Sequence, residues 1–532
     1  MIACLFLGVA GCAVHNGPAG GPASPAPTPT PGPAAVRAVE NPPDVRARMP
    51  LRPTPPQPES RFPPPQQSEA DEKRAANDPR EPELLTVETA VFLDGRPFPE
   101  KTPYDPKFPE ARRLRYVAVD AVRGGNGSFE KPWNDLQQAL CGLEPGDRLV
   151  LASGIYAGSF KVAGPCRAGT AEAPIQVFSR HAFLKPSGAG DVLTVQKPHW
   201  QFWEVQIALL DSESAGFVTS GPEAHDIALD QSHVYEGKGP AVRLEAGSSR
   251  VTLSNCHIHQ STGVRVDAGT SDVTLIGNHI HHNRAASITV GEGGSAEPAS
   301  GITITANRLH NDRGPGLSLF HCARVRATRN KFSNYRAEED RGGEAVWIGP
   351  GADDVRLEEN TILEASIGIR VAAPVKNASA SEIAILRNYF DNRLTDDAVA
   401  LVVEGGRGIL FAHDVVDRYS EGFRVGPGGA GGLSVVNSLF VEPATAFEVP
   451  AAGSLARIEG VVFGGAGGAR GMVGGRPVDA KVFPRGARVV PRVELVGRDL
   501  GKITGFSPVD AGSLIPGALF QGSAPDIGIA ER

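Results

Sequence analysis

The sequence predicts an all-β chain folded as a right-handed parallel β-helix, and three observations carry that expectation. The first is an asparagine that returns at one phase of an apolar frame, at Asn278, Asn307, Asn330, Asn360 and Asn388. The frame reads apolar-x-apolar-x-x-Asn-x-apolar, as in Val273-Thr-Leu275 followed by Asn278-His-Ile280. The second is the period. Copies recur every 22 to 30 residues, and weaker ones carry Ser232, Cys256, Asp414 and Ser438 at the asparagine phase. The third is a short alternating run that ends each copy, such as Gly263-Val-Arg-Val266, Gly316-Leu-Ser-Leu319 and Gly368-Ile-Arg-Val371. A unit of this size, made of three short strands, cannot bury its apolar face alone and must stack on its neighbours. Stacked rungs lie about 4.8 Å apart. Identical asparagines then come within hydrogen-bond reach of one another, as side-chain ladders do in cross-β assemblies.

From the amino terminus, residues 2–11 are apolar and too few to span a bilayer, as an export-signal remnant would be. Val9-Ala-Gly-Cys12 resembles the lipobox of bacterial lipoproteins, although no Lys or Arg precedes the apolar stretch. That resemblance implies lipidation of Cys12, export, and a lipid anchor at the bacterial outer membrane or cell surface as the sole membrane contact. Residues 13–83 hold 19 of the 45 prolines and almost no aliphatic clusters, so they read as a disordered, PPII-rich tether. Residues 84–135 read as a lead-in and cap, 136–460 as the β-helix and 461–532 as a C-terminal cap. A formal charge of −7 argues against a general nucleic-acid binder. One elongated body of this kind is expected to be a monomer. Cys141 and Cys166 flank the first strand region and could pair in an oxidising compartment. Cys256, at the inward asparagine phase, reads as a buried thiol, and Cys322 as a turn residue. The chain has no C-x-x-C pair and so no signature of a structural zinc site.

Residues 116–156 include Gly124-Gly-Asn-Gly-Ser128, Lys131-Pro-Trp-Asn-Asp-Leu-Gln-Gln-Ala-Leu140 and Pro145-Gly-Asp147. This closely resembles the opening of secreted β-helix proteins of the pectate-lyase-like superfamily, in which a short capping helix, here around Trp133–Leu140, closes the barrel end. Ser507-Pro-Val-Asp-Ala-Gly512 and Ala524-Pro-Asp-Ile-Gly528 resemble the closing motif of many such chains. The superfamily holds lyases, hydrolases, epimerases and proteins without known activity, so the fold alone does not give a function.

In β-helices of this kind the asparagine ladder lies between the second and third strands of a rung. The resemblance therefore makes the Gly-Ile-x-Val run the first strand, whose outer face is the substrate groove in the polysaccharide lyases. Alternation along a strand then gives the outward column Arg243, Arg265, Thr289, Ser318, Trp347, Arg370, Val402, Arg424 and Glu448. Guanidinium groups suit carboxylates or sulfates, and an indole suits a sugar ring. The column points to an acidic polysaccharide or cell-wall glycan as partner, with Arg243, Arg265, Trp347 and Arg341 binding it. A plain polar face with exposed arginines explains the same residues.

The run Gly342-Gly-Glu-Ala-Val-Trp-Ile-Gly349 looks like a stretch of alginate lyases and the chondroitinase B family. That resemblance implies β-elimination with Lys376 and Glu344 as candidate catalytic residues, and Arg370 or Arg341 could substitute for the family's arginine. Elimination needs a base for the C5 proton and a cation, side chain or Ca²⁺, for the enolate-like intermediate. The family's arginine on the following rung has no counterpart, because Leu401-Val-Val-Glu404 stands there. The competing class is a non-catalytic structural or surface-recognition β-helix. Finally, His257-Ile-His259 and His279-Ile-His281 occupy matching outward positions on consecutive rungs, with His233 and Tyr235 before them and His310 after. Three of the four histidines His257, His259, His279 and His281 could approach one Zn²⁺ or Cu²⁺, the rings could form a pH-dependent anion-binding face, or they could simply stack on a polar strand.

Overall fold

The computed structural model describes residues 110–503 apart from 180, 339–341, 376–377, 394–396, 430, 452–453, 465–469, 480–486, 491–492 and 497–498. Cys12, the tether, the lead-in before residue 110, Arg341, Lys376 and both closing motifs lie outside the described residues. Among the described residues no helix is long and apolar enough to cross a membrane.

The described residues wind as a β-solenoid with three sheets of 14 strands each, parallel except where Arg476–Asp479 pairs antiparallel with Arg470–Val473. One rung shows the plan. Val242–Leu244 belongs to the first-strand sheet, Ser249–Ser254 to the second and His257–His259 to the third. Each strand pairs in parallel with its counterpart one rung on, Val242 with Val264, Thr252 with Thr274 and His257 with His279. Parallel connections within one sheet are right-handed, the hand expected from the sequence. Parallel pairing begins at Arg113–Val117 against Asp147–Leu151 and continues to Ala487–Val490 against Val461–Gly464, wider than residues 136–460. A short helix, Leu136–Cys141, buries Leu136, Ala139 and Leu140, and Asp135 caps it by accepting the Gln138 N–H. Cys141 at its end is disulfide-bonded to Cys166, with Cα atoms 4.0 Å apart. Cys322 is not a turn residue: it opens the strand Cys322–Thr328 with its thiol buried, because its side chain falls on the inward phase.

The interior follows from period-2 alternation. Val242, Leu244, Val251, Leu253 and Ile258 are fully buried, whereas Arg243 and Thr252 between them are not. Towards the carboxyl end the same phase carries phenylalanines. Phe411, Phe440 and Phe463 stack with ring centroids 6.0 and 5.1 Å apart.

Two turns per rung are tight because one residue in each takes a positive φ. Before the ladder position stand Asn255 (52°), Gly277 (67°), Ala306 (53°), Arg329 (56°), Glu359 (55°) and Arg387 (54°). All but Gly277 carry a Cβ that disfavours this conformation, so the turn must be held by its neighbours. The asparagines do so. Each Oδ1 accepts from the backbone N–H and Nδ2 of the asparagine one rung earlier, at 2.9–3.0 Å from Asn278 to Asn388. Each Nδ2 also donates to a carbonyl on the preceding second strand, as Asn330 does to Ile304 at 2.9 Å. Cys256 and Asp414 extend the ladder at its two ends, by the Cys256 N–H and the Asp414 Oδ1.

A second ladder, absent from the sequence reading, lies at the turn after the third strand. Ser261, Asn283 and Asp312 stand five residues after Cys256, Asn278 and Asn307. Asn283 Oδ1 accepts from the Ser261 N–H at 3.1 Å, and Asp312 Oδ1 from Asn283 N and Nδ2 at 2.8 Å. Burial pushes the Asp312 carboxyl up to about 7, despite hydrogen bonds from Ser287, Asn283 and Tyr335.

Candidate functional site

The outward residues of the first-strand sheet form one column in register, running Arg243, Arg265, Thr289, Ser318, Trp347, Arg370, Val402, Arg424 and Glu448. Trp347 is half-buried, with Phe320 packed edge-on against its ring at 5.2 Å. Val402 is buried and offers no surface.

Every arginine of the column stands between two carboxylates. Arg243 meets Asp191 at 2.8 Å and Glu245 at 3.0 Å, and Arg265 meets Asp267 at 2.5 Å and Glu292 at 3.8 Å. Arg370 takes Glu344 with Nη1 at 3.0 Å and Glu404 with Nε and Nη2 at 3.2 and 2.8 Å. Arg424 pairs with Glu421 and, at 3.1 Å, with Glu448. The two partners are unequal. The side chains of Asp267, Glu344 and Glu421 are 14, 8 and 9% exposed, against 46, 34 and 42% for Glu292, Glu404 and Glu448. Burial works against the charge of Arg370, yet hydrogen bonds to Glu404 and Glu344 outweigh it and raise its pKa.

Of the candidate catalytic residues, Glu344 and Arg370 are brought together as an ion pair, and Lys376 lies outside the described residues. The carboxylate partners are the part of this face that sequence reasoning missed. Glu245 and Asp267 were legible, since they stand two residues after Arg243 and Arg265 and share their face. Asp191 was not, because it reaches Arg243 from 52 residues away.

The third-strand sheet presents the imidazoles in two columns, His233–His257–His279 and Tyr235–His259–His281–His310. Their Nε2 atoms meet diagonally: His233 with His259 at 2.8 Å, His257 with His281 at 2.7 Å and His279 with His310 at 2.8 Å. In each pair one ring donates an N–H and the other accepts it. Burial, reinforced by neighbouring rings, pushes His233 and His259 down to about 4. Burial with repulsion from Arg308 and other rings takes His279 to about 3, and His281 and His310 are lowered further. The rings are therefore neutral at pH 7, with one nitrogen lone pair each.

Among the described residues, three groups bring three ligand atoms within 4.8 Å of one another, and each contains at least two histidines. They are His233–His257–His259, His257–His279–His281 and His199–His225–Asp226. An all-oxygen donor set, which Ca²⁺ requires, is not among them.

The solenoid and its two decorated faces define the molecule as a right-handed parallel β-helix. The family described as "Right handed beta helix region" matches residues 218–362 and 262–440. No curated protein matches the chain. Among solved structures, pectate lyase Pel9A is 15% identical, with 79% of this chain and 97% of that one covered and a TM-score of 0.43. An alginate lyase from Paenibacillus sp. str. FPU-7 is 20% identical over 53% of this chain and 98% of that one, TM-score 0.40. The A-module of the Azotobacter vinelandii mannuronan C-5 epimerase AlgE6 is 14% identical over 67% and 92%, TM-score 0.40.

Proposed function

We propose that the first-strand sheet is a recognition face for an acidic polysaccharide or cell-wall glycan. The observation that carries this reading is the divided pairing of the arginines. At Arg265, Arg370 and Arg424 the less exposed carboxylate holds the guanidinium in place. An exposed one occupies the position that a ligand carboxylate or sulfate would take, and a bidentate guanidinium–carboxylate contact suits either partner. Uronates along a bound chain would exchange for Glu292, Glu404 and Glu448 while Asp267, Glu344 and Glu421 keep the geometry. Trp347, near the middle of the column, supplies a ring face for sugar C–H groups. Four arginines stand against eight carboxylates, so affinity rests on local exchange rather than on long-range attraction.

Glu404→Gln removes a competitor for Arg370 without disturbing Glu344. It is expected to raise affinity for alginate, pectate or chondroitin about 5-fold, the scale of one exposed ion pair, and to leave a neutral glycan unaffected. Trp347→Ala should weaken all binding roughly 5- to 10-fold. Calorimetry or affinity electrophoresis reads both. No binding by wild type across the glycan panel, or an unchanged affinity in Glu404→Gln, would leave only a structural rod.

The same face is proposed to bind without cleaving, because both polar groups of the described catalytic set, Glu344 and Arg370, are engaged with each other. Elimination would create a C4–C5 double bond that absorbs in the far ultraviolet. Rising absorbance with wild type, lost in Lys376→Ala, would instead make the protein a lyase. Export and anchoring through Cys12 belong to this reading too. Cys12→Ser is expected to shift the protein from the detergent to the aqueous phase on Triton X-114 partitioning, and unchanged partitioning would remove the anchor.

A further inference from the structure

The glycan reading leaves the third-strand sheet without a role, although it carries six imidazoles in two stacked columns. The columns are held by ring stacking, with centroids 4.7 Å apart for His233–His257, 5.0 Å for His257–His279 and 5.2 Å for His259–His281. Each ring therefore has little freedom to lose on binding a ligand. Two sets of three ligand nitrogens converge within 4.8 Å, and His257 belongs to both. We propose that this array is a transition-metal site for Zn²⁺ or Cu²⁺, centred on His257.

The donor chemistry selects the ion. Imidazole nitrogen suits Zn²⁺ and Cu²⁺, whereas Ca²⁺ and Mg²⁺ take oxygen ligands. Tetrahedral Zn–N bonds near 2.0–2.1 Å place ligand nitrogens about 3.4 Å apart. The Nε2 pairs at 2.7–2.8 Å would open by about 0.6 Å, and the longer separations would close, through small imidazole rotations. The backbone can stay still. The ring that donates in each Nε2 pair moves its proton through solvent from Nε2 to Nδ1, so that it stays neutral while both Nε2 lone pairs turn to the metal. Water completes the fourth position. The remaining group, His199–His225–Asp226, differs in that Arg250 holds Asp226 with bonds of 2.8 and 2.9 Å. Its carboxylate is therefore taken.

The common ligand makes the idea sharply testable. His257→Ala destroys both three-histidine sets at once, whereas His233→Ala or His279→Ala leaves one set intact. Zn²⁺ and Cu²⁺ would be titrated into the metal-stripped full chain by calorimetry, with electron paramagnetic resonance on the Cu²⁺ form. The expected result is one tight equivalent, nitrogen hyperfine coupling, and a thermal midpoint raised by the ion. His257→Ala should lose at least tenfold in affinity together with the nitrogen coupling. His233→Ala and His279→Ala should lose less, and His321→Ala, remote from the array, nothing. The combined His233→Ala/His279→Ala variant also removes both sets, so it and His257→Gln stand in if His257→Ala fails to fold. Equal binding by wild type and His257→Ala, or a response to Ca²⁺ matching that to Zn²⁺, would overturn the proposal and leave the imidazoles as a hydrogen-bonded stack.

Discussion

Replacing Asn330 with leucine is expected to destabilise the solenoid by about 3–5 kcal/mol, more than any surface substitution. Asn330 is fully buried at the centre of the ladder. Its Oδ1 accepts from Asn307 N and Nδ2 at 2.9 and 3.0 Å, and its Nδ2 donates to Ile304 O and Asn360 Oδ1 at 2.9 and 3.0 Å. Leucine has the same number of side-chain heavy atoms and bulkier methyl groups, so the loss is not a cavity. It takes the acceptor from the Asn307 N–H and from one of the two Asn307 Nδ2 hydrogens, and the amide donor from the Ile304 carbonyl, in a site that water cannot reach, at about 1–3 kcal/mol each before relaxation. The Arg329 turn, at a φ of 56°, also loses its brace. Solenoids unfold by neighbouring units rather than always in one step, so amide exchange at residues 304–360 is the sharper measurement alongside urea unfolding. Exchange and midpoint both unchanged would mean that the ladder is incidental to stability.

Asp414→Asn should have the opposite sign. Asp414 occupies the next ladder position and accepts from Asn388 N and Nδ2 at 2.7 and 3.0 Å, but its Oδ2 is buried with no hydrogen-bond partner. Burial raises its pKa well above the carboxylate range. The folded protein thus holds a proton that the unfolded chain releases near pH 3.9. Stability from this group is fully present below that pH and is lost as pH rises towards the folded pKa. An amide has the same shape and no proton to keep. Its Nδ2 would face the carbonyl of Ile385, which continues the register Leu253, Leu275, Ile304, Ala327, Leu357 that serves the preceding asparagines. The expected gain is about 1–3 kcal/mol at pH 7 and close to none at pH 3. Asp312, raised to about 7, should leave a residual decline between about pH 4 and 7 in the variant. Equal stability of Asp414→Asn and wild type at pH 7 would show that Asp414 is ionised in the folded state.

These two positions share a ladder yet act in opposite directions, and the difference is one atom. Asn330 offers a donor where the fold has an acceptor, while Asp414 offers an acceptor unless it carries a proton. The same contrast separates the two candidate faces. Arginine and histidine look equally available in a sequence. In the structure the arginines are already engaged by carboxylates, and the histidines by one another.

The sequence by itself determined the solenoid, the direction of each strand's side chains and the register of successive rungs. It could do so because a period-2 strand inside a repeat of 22 to 30 residues leaves each residue one choice, inward or outward, and the repeat says which residue stacks on which. The columns Arg243–Arg265 and His257–His279 follow from that rule alone. What the tertiary structure decided is what reaches those columns from outside the repeat. Asp191 meets Arg243 across 52 residues, Tyr335 meets Asp312 across 23, and the Nε2 atoms of His233 and His259 meet diagonally rather than along a column. Such contacts depend on loop paths and side-chain torsions, which carry no period. The charge balance of the arginine face and the coordination geometry of the histidine face could therefore be read only from the folded chain.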